Sequence, residues 1–138
     1  MTGWIFQNLS IRGPRIPVES TEHAVTLLMD ASGESEYAVC VEYCHEPVGA
    51  IDLVAGQEFA TLSFDPQYEV SRHSLSGFKF AKAVEPVTDR DMNFVDDTDT
   101  LSAIPSQYLL PILDVVRAIE YIVNQNKYPE FLQWFSGV

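Results

Sequence analysis

Residues 104–134 (IPSQYLLPILDVVRAIEYIVNQNKYPEFLQW) constrain the fold more than any other stretch. Leu109, Ile112, Leu113, Val116, Ile119 and Val123 recur at helical spacing, and Tyr108, Val115 and Ile122 widen that face at steps of seven. Asp114, Arg117, Glu120 and Gln125 keep the opposite side polar. A face this wide must pack on a sheet, where each of those apolar side chains contributes roughly 1.5–3 kcal/mol on burial. Ser106 is placed to cap the helix. Pro111 would cost about 3 kcal/mol inside a regular helix. It therefore belongs in the first turn, or at a break between a short turn and the main helix. Asn124, Gln125 and Asn126 fray the end, Pro129 prevents continuation, and residues 131–135 (FLQWF) form a last strand. Trp134 is expected under the helix, where Trp134→Ala costs roughly 3–5 kcal/mol through the cavity it leaves.

Upstream, the pattern changes from helical to alternating. Residues 4–11 read as a strand broken by Arg12-Gly13-Pro14. Residues 20–31 read as a helix capped by Ser20 or Thr21, with Ala24, Val25, Leu28 and Met29 as its apolar stripe and Gly33 at its C′ position. In residues 37–44, Tyr37, Val39, Val41 and Tyr43 share one face of a strand, and Ala38, Cys40, Glu42 and Cys44 the other. Strands follow at 48–54 and 58–64; in the latter Phe59 and Leu62 differ in parity, which a bulge near Thr61 would reconcile. Residues 65–77 are polar and irregular. Residues 78–84 (FKFAKAV) alternate with lysines on both faces, as suits an edge strand. The expectation is one α+β domain spanning residues 1–138. It comprises an antiparallel sheet of about five to seven strands, a long C-terminal helix packed on one face, and a shorter N-terminal helix.

The chain of 138 residues carries 20 acidic and 8 basic side chains, a net charge of −12. Such a charge repels nucleic acid and anionic membranes and favours a basic protein partner. Cys40 and Cys44 are the only cysteines. Four residues apart on a strand they are about 13 Å from each other, too far for a disulfide, so buried free thiols in a reducing compartment are expected. The N-terminus lacks the basic and apolar regions of a signal peptide, and no apolar run approaches the length of a membrane span. A cytoplasmic location is expected.

Catalytic motifs are absent. Cys44, His45 and Glu46 are adjacent, but neighbouring strand residues point to opposite faces. His73 and Ser74 have the same difficulty and no nucleophile elbow. His23, His45 and His73 lack metal-ligand spacing, and no Gly-rich phosphate loop occurs. Asp96, Asp97 and Asp99 lack the glycine and terminal Glu of a calcium loop. The acidic run that holds them, residues 85–99, suits a clamp for a partner's arginines and lysines better than a cation site. Neither a cofactor nor a metal is implied.

Ile104-Pro105, the helix with Ala118-Ile119-Glu120-Tyr121, then Tyr128-Pro129-Glu130 and Leu132-Gln133-Trp134, resemble the C-terminal signature of the Imm1 family of bacterial immunity proteins. Pro105, Ala118, Tyr121, Pro129 and Trp134 stand at the family's positions, whereas Asn126-Lys127-Tyr128 departs from its usual turn. The resemblance implies a small cytosolic protein encoded beside a polymorphic or contact-dependent toxin. It would neutralise that toxin, often a deaminase or nuclease acting on nucleic acid, by stoichiometric contact and without catalysis. It carries over no toxin-binding residues. Charge assigns the contact surface to Asp65, Glu69, Glu85, Asp89, Asp91, Asp96, Asp97 and Asp99. The alternatives are a small enzyme or ligand-binding α+β protein with a pocket between helix and sheet, and an acidic adaptor in a secretion complex.

Overall fold

The computed structural model describes residues 2–33, 35–46, 48–65, 79–83, 85–95, 100–127 and 129–136. Its centre is an antiparallel hairpin of β3 (Ala38–His45) and β4 (Gly49–Ala55), in register from Val39↔Ala55 to His45↔Gly49. Near the turn, β3 is flanked by β1 (Ile5–Asn8) and then β2 (Ile16–Pro17). On the other side, β4 is flanked by β6 (Leu62–Asp65), β7 (Lys79–Ala81) and β11 (Trp134–Ser136). At the open end of the hairpin the neighbours are different. There β3 meets β8 (Met92–Val95) in parallel, with β9 (Leu101–Ile104) beyond it. There β4 meets β5 (Phe59–Ala60), with β10 (Leu110–Pro111) beyond it.

Both flanks are interrupted at one rung, the pair Cys40↔Val54: β3 exchanges β1 for β8 there, whereas β4 keeps one neighbouring run that is split at Thr61. At such a change the ladder would leave backbone groups unmatched, and two hydroxyls fill the gaps. On one side Cys40 N–H donates to Ser10 Oγ (2.8 Å), which donates onward to Val95 C=O (2.8 Å). On the other, Val54 N–H donates to Thr61 Oγ1 (2.9 Å), while Thr61 N–H donates to Val54 C=O (2.9 Å).

The description among these residues is α+β, as expected, but with eleven strand segments in place of five to seven, and with one parallel pairing. β2, β9 and β10 are short strands that the sequence pattern did not show, and one extra segment comes from the division at Thr61 of residues 59–65, which are one extended run. The bulge expected there is absent. Ala55↔Ala60 and Asp52↔Ser63 keep the same register across the break. Parity is reconciled by burying Ala60, Leu62 and Phe64 and leaving Phe59 on the other face. β1 ends at Asn8 rather than residue 11, because Leu9 C=O accepts Arg12 N–H in a turn (3.1 Å) and Cys40 N–H donates to Ser10 Oγ instead of to Leu9.

Two helices of almost equal length, α1 (Thr21–Gly33) and α2 (Ile112–Gln125), pack on each other and on the sheet. Ser20 caps α1 by accepting from His23 N–H (3.0 Å), and His23 Nδ1 accepts from Glu19 N–H (3.0 Å). Gly33 is the last helical residue and not C′. Ala24, Leu28 and Ser32 form the buried face of α1, whereas Met29 is 40% exposed. Pro111 sits at the N-cap of α2, after a 3₁₀ turn at Ser106–Tyr108, which is the break foreseen for it. The buried face of α2 is Ile112, Val115, Ala118, Ile119, Ile122 and Val123. Leu113 is turned out at 70% exposure, because the sheet and α1 together cover the flank marked by Val115 and Ile122. Asn126 does not fray. It takes the left-handed conformation (φ 60°), donates its N–H to Ile122 C=O (2.7 Å), and accepts the Trp4 indole N–H at Oδ1 (3.2 Å).

The core joins helices and sheet through Phe6, Val41, Tyr43, Ile51, Leu53, Leu62, Phe64, Val115, Ile119 and Ile122. Tyr43 donates its hydroxyl to Ala24 C=O (2.6 Å), bonding β3 to α1 inside it. Trp134 is half-buried on the outer strand β11, with its indole N–H donating to Pro129 C=O (3.0 Å). Part of its area stays in water, so Trp134→Ala is expected to cost less than full burial would imply.

Removing either hydroxyl at the partner change, by Ser10→Ala or by the isosteric Thr61→Val, is expected to destabilise the protein by about 1–3 kcal/mol. Urea denaturation of the two variants measures it; the exposed Thr26→Val is the control expected to change stability by less than about 0.5 kcal/mol.

Candidate partner-binding surface

The acids selected from sequence fall into two groups. Asp65 lies on β6 opposite Ala50, close to the hairpin turn. Asp91 directly precedes β8, whose Phe94 pairs with Ala38 at the open end of the hairpin. Glu85, Asp89 and Asp91 are exposed on the segment leading into β8. The single surface expected for Asp65, Glu69 and the acidic segment 85–99 is therefore divided, with Asp65 near the turn and Asp91 at the open end of the hairpin. Glu69, Asp96, Asp97 and Asp99 lie outside the described residues, as do His73 and Ser74.

The open end holds a groove of about 460 Å³, lined by Glu36, Glu58 and Asp91 with Tyr37, Phe59 and Met92 among its apolar walls. All three carboxylates are exposed. They come from separate places: the approach to β3, the β4–β5 turn, and the approach to β8. Gly56 N–H donates to Phe59 C=O (2.9 Å) to close the turn, and a Cβ on Gly56 would stand 3.0 Å from Met92 Sδ. Asp91 Oδ1 accepts the Ser106 N–H (3.1 Å), so the same carboxylate holds the start of the 3₁₀ turn. Negative oxygens above aromatic and thioether walls suit a guanidinium or ammonium on an apolar stem. Glu36 and Glu58 were not among the acids selected from sequence, because neither belongs to an acidic run.

A second group lies on the sheet face opposite the helices. The rung Gln7↔Glu42↔Asp52↔Ser63↔Phe80↔Phe135 crosses the sheet from β1 to β11. Glu42 and Asp52 are thus direct cross-strand neighbours, with Asp65 and Cys44 two rungs away on the same face. Burial pushes the Asp52 carboxyl up to about 7, helped by the charges of Glu42 and Asp65 and a hydrogen bond with Glu42. Cys44 donates its thiol to Glu42 Oε1 (2.7 Å), and burial, that hydrogen bond and the charges of Glu42 and Asp52 raise its pKa, against a lowering by Arg15. Neither cysteine forms a disulfide among the described residues, and both are half-buried rather than buried. His45 lies on the other face, edge-on to Trp4 at 5.3 Å. The Cys44 thiol is therefore a protonated donor turned away from the adjacent imidazole. At the far end of the rung, Phe80 stacks on Phe135 (5.9 Å) and meets Tyr108 edge-on (5.8 Å), and Lys82 Nζ lies 4.8 Å over Phe135.

Among the described residues, no three His, Cys, Asp or Glu side chains converge as a metal site, and no helix is long and apolar enough to cross a membrane.

Asp52 makes stability depend on pH with a definite sign. Its folded-state pKa of about 7 lies above the ordinary aspartate value of 3.8. The folded state therefore binds the proton more tightly, and this contribution is lost as pH rises from about 4 through about 7. Asp52→Asn is expected to remove that loss, raising stability at pH 8 by on the order of a few kcal/mol while changing it little at pH 4. Denaturant titrations of both proteins at pH 4, 6 and 8 check the sign.

Neither models of known protein families nor curated protein sequences match the chain, so the Imm1 resemblance stands on its C-terminal residues alone.

Proposed function

We propose that this protein is an Imm1-like immunity protein that binds a basic toxin domain in the cytoplasm and neutralises it by stoichiometric contact, without catalysis. The observation that carries this reading is the gathering of Glu36, Glu58 and Asp91, all exposed, around an aromatic-walled groove at the open end of the β3–β4 hairpin, with exposed Glu85 and Asp89 on the segment that leads to Asp91. A toxin domain that acts on nucleic acid presents lysines and arginines to hold phosphates. Those side chains suit this surface, and a chain of net charge −12 accelerates their approach. Occupying them with protein carboxylates denies them to phosphate.

One observation favours a second reading, a ligand-binding or enzymatic role. The half-buried Glu42–Asp52 pair keeps a proton near neutrality, and carboxylates of that kind serve general acid–base chemistry. The two readings separate through variants at opposite ends of the hairpin.

The product of the neighbouring toxin gene is expected to co-purify with this protein and to lose toxicity when the two are co-expressed. Glu36→Gln, Glu58→Gln and Asp89→Asn together are expected to slow association about tenfold or more at low salt and to flatten its salt dependence, with a smaller effect on dissociation. Stopped-flow binding measures this; unchanged association rates would overturn the assignment. Asp52→Asn is expected to leave protection intact, and a loss of protection would favour the second reading. Capture of a secretion component without protection from toxin would point instead to an adaptor.

A further inference from the structure

At the open end of the hairpin the strands run β9-β8-β3-β4-β5-β10, so β9 and β10 are the edges of that half of the sheet. Edge strands expose main-chain donors and acceptors, and proteins guard them with proline or charge. β10 contains Pro111, and β2, an edge of the other half, contains Pro17. β9 reads Leu101-Ser102-Ala103-Ile104 and has neither device. Among the described residues it pairs with β8 alone. Leu101 is 55% exposed and Ala103 is also exposed, so the strand offers apolar side chains as well as backbone.

The surroundings of this edge are acidic. The hydrogen bond from Ser106 N–H to Asp91 Oδ1 brings a carboxylate beside the chain just past Ile104. Exposed Glu85 and Asp89 lie on the segment leading to Asp91, which also lines the groove with Glu36 and Glu58. Apolar backbone flanked by negative charge selects an extended segment that carries positive charge. A second copy of this chain would bring two net charges of −12 together at their acidic ends, which repulsion opposes.

We propose that β9 is the docking edge for an extended, lysine- or arginine-bearing strand of the partner, which joins the sheet beside Leu101–Ile104. This deepens the toxin-binding reading and rests on it for the partner's identity. Main-chain hydrogen bonds supply attraction without regard to sequence. Leu101 and Ala103 cover the apolar side chains of the incoming strand, and the carboxylates reject strands that lack positive charge.

The test uses isotope-labelled full-length protein and a ten-residue peptide alternating lysine with valine. Strand addition is expected to shift the Leu101–Ile104 resonances and to slow exchange of the outward-facing amides in that strand about tenfold or more. A peptide N-methylated on one alternate set of amides is expected to lose binding, while methylation of the other set is tolerated, since only one set faces β9. A glutamate–valine peptide is expected not to bind. Leu101→Lys with Ala103→Lys is expected to weaken lysine-peptide binding about tenfold or more with an unchanged melting temperature, since both side chains face solvent. Equal binding by both methylated peptides, or shifts confined to other strands, would overturn the proposal, and so would self-association through β9 in sedimentation. The neighbouring toxin separates the two levels. Capture of the toxin with undiminished affinity by the double-lysine variant would overturn the docking edge and leave the function standing. Failure of the wild type to capture the toxin would overturn the function, while the peptide result still decides the edge.

Discussion

The rung Cys40↔Val54 is the constraint on which the rest of this structure depends. A hairpin with one neighbour along each side would build a plain meander. Here β3 exchanges β1 for β8 at that rung, and the run beside β4 is split there at Thr61, so that its outer neighbour changes from β7 to β10. An exchange interrupts the backbone ladder, and an unmatched buried N–H is expensive. Ser10 and Thr61 supply hydroxyl oxygens where the next strand's carbonyl would otherwise stand.

Two consequences follow for the surface. The exchange divides the sheet into halves with their own edges and their own charged groups. Near the turn, Glu42, Asp52 and Asp65 are drawn onto one face by cross-strand pairing and lose part of their hydration. At the open end, three chain segments converge with their carboxylates still in water. The same residue type thus acquires two chemistries. A half-buried carboxylate beside another retains its proton near neutrality, whereas an exposed one remains an anion available to a basic partner. The partner-binding reading uses the second group, and at that end β9 pairs with β8 alone among the described residues.

The groups closest to nucleophilic chemistry have been turned apart by the strand itself. Cys44 donates to Glu42 on one face while His45 packs on Trp4 on the other. Alternation of side chains along β3 is enough to separate them, whatever the rest of the fold does. The terminal helix has a related role. α2 and its left-handed Asn126 close the core and fasten Trp4 through the indole N–H, while its outer side displays Leu113 and Arg117.

Local chemistry was legible in the sequence. The two helices, the faces of β3, the break at Pro111 and the exposure of the acidic run before β8 follow from periodicity, proline geometry and charge, which act over a few residues. The strand count, the parallel pairing of β8 and the outward turn of Leu113 do not, because they depend on which segments meet across the whole chain. The same holds for the acids. Asp91 could be selected from its run, but Glu36 and Glu58 join it only because the approach to β3 and the β4–β5 turn end beside the approach to β8. Glu42 faces Asp52 only because the hairpin has this register. A residue's own neighbours set which way its side chain points; the pairing of distant strands sets what it points at, and only tertiary structure decides that.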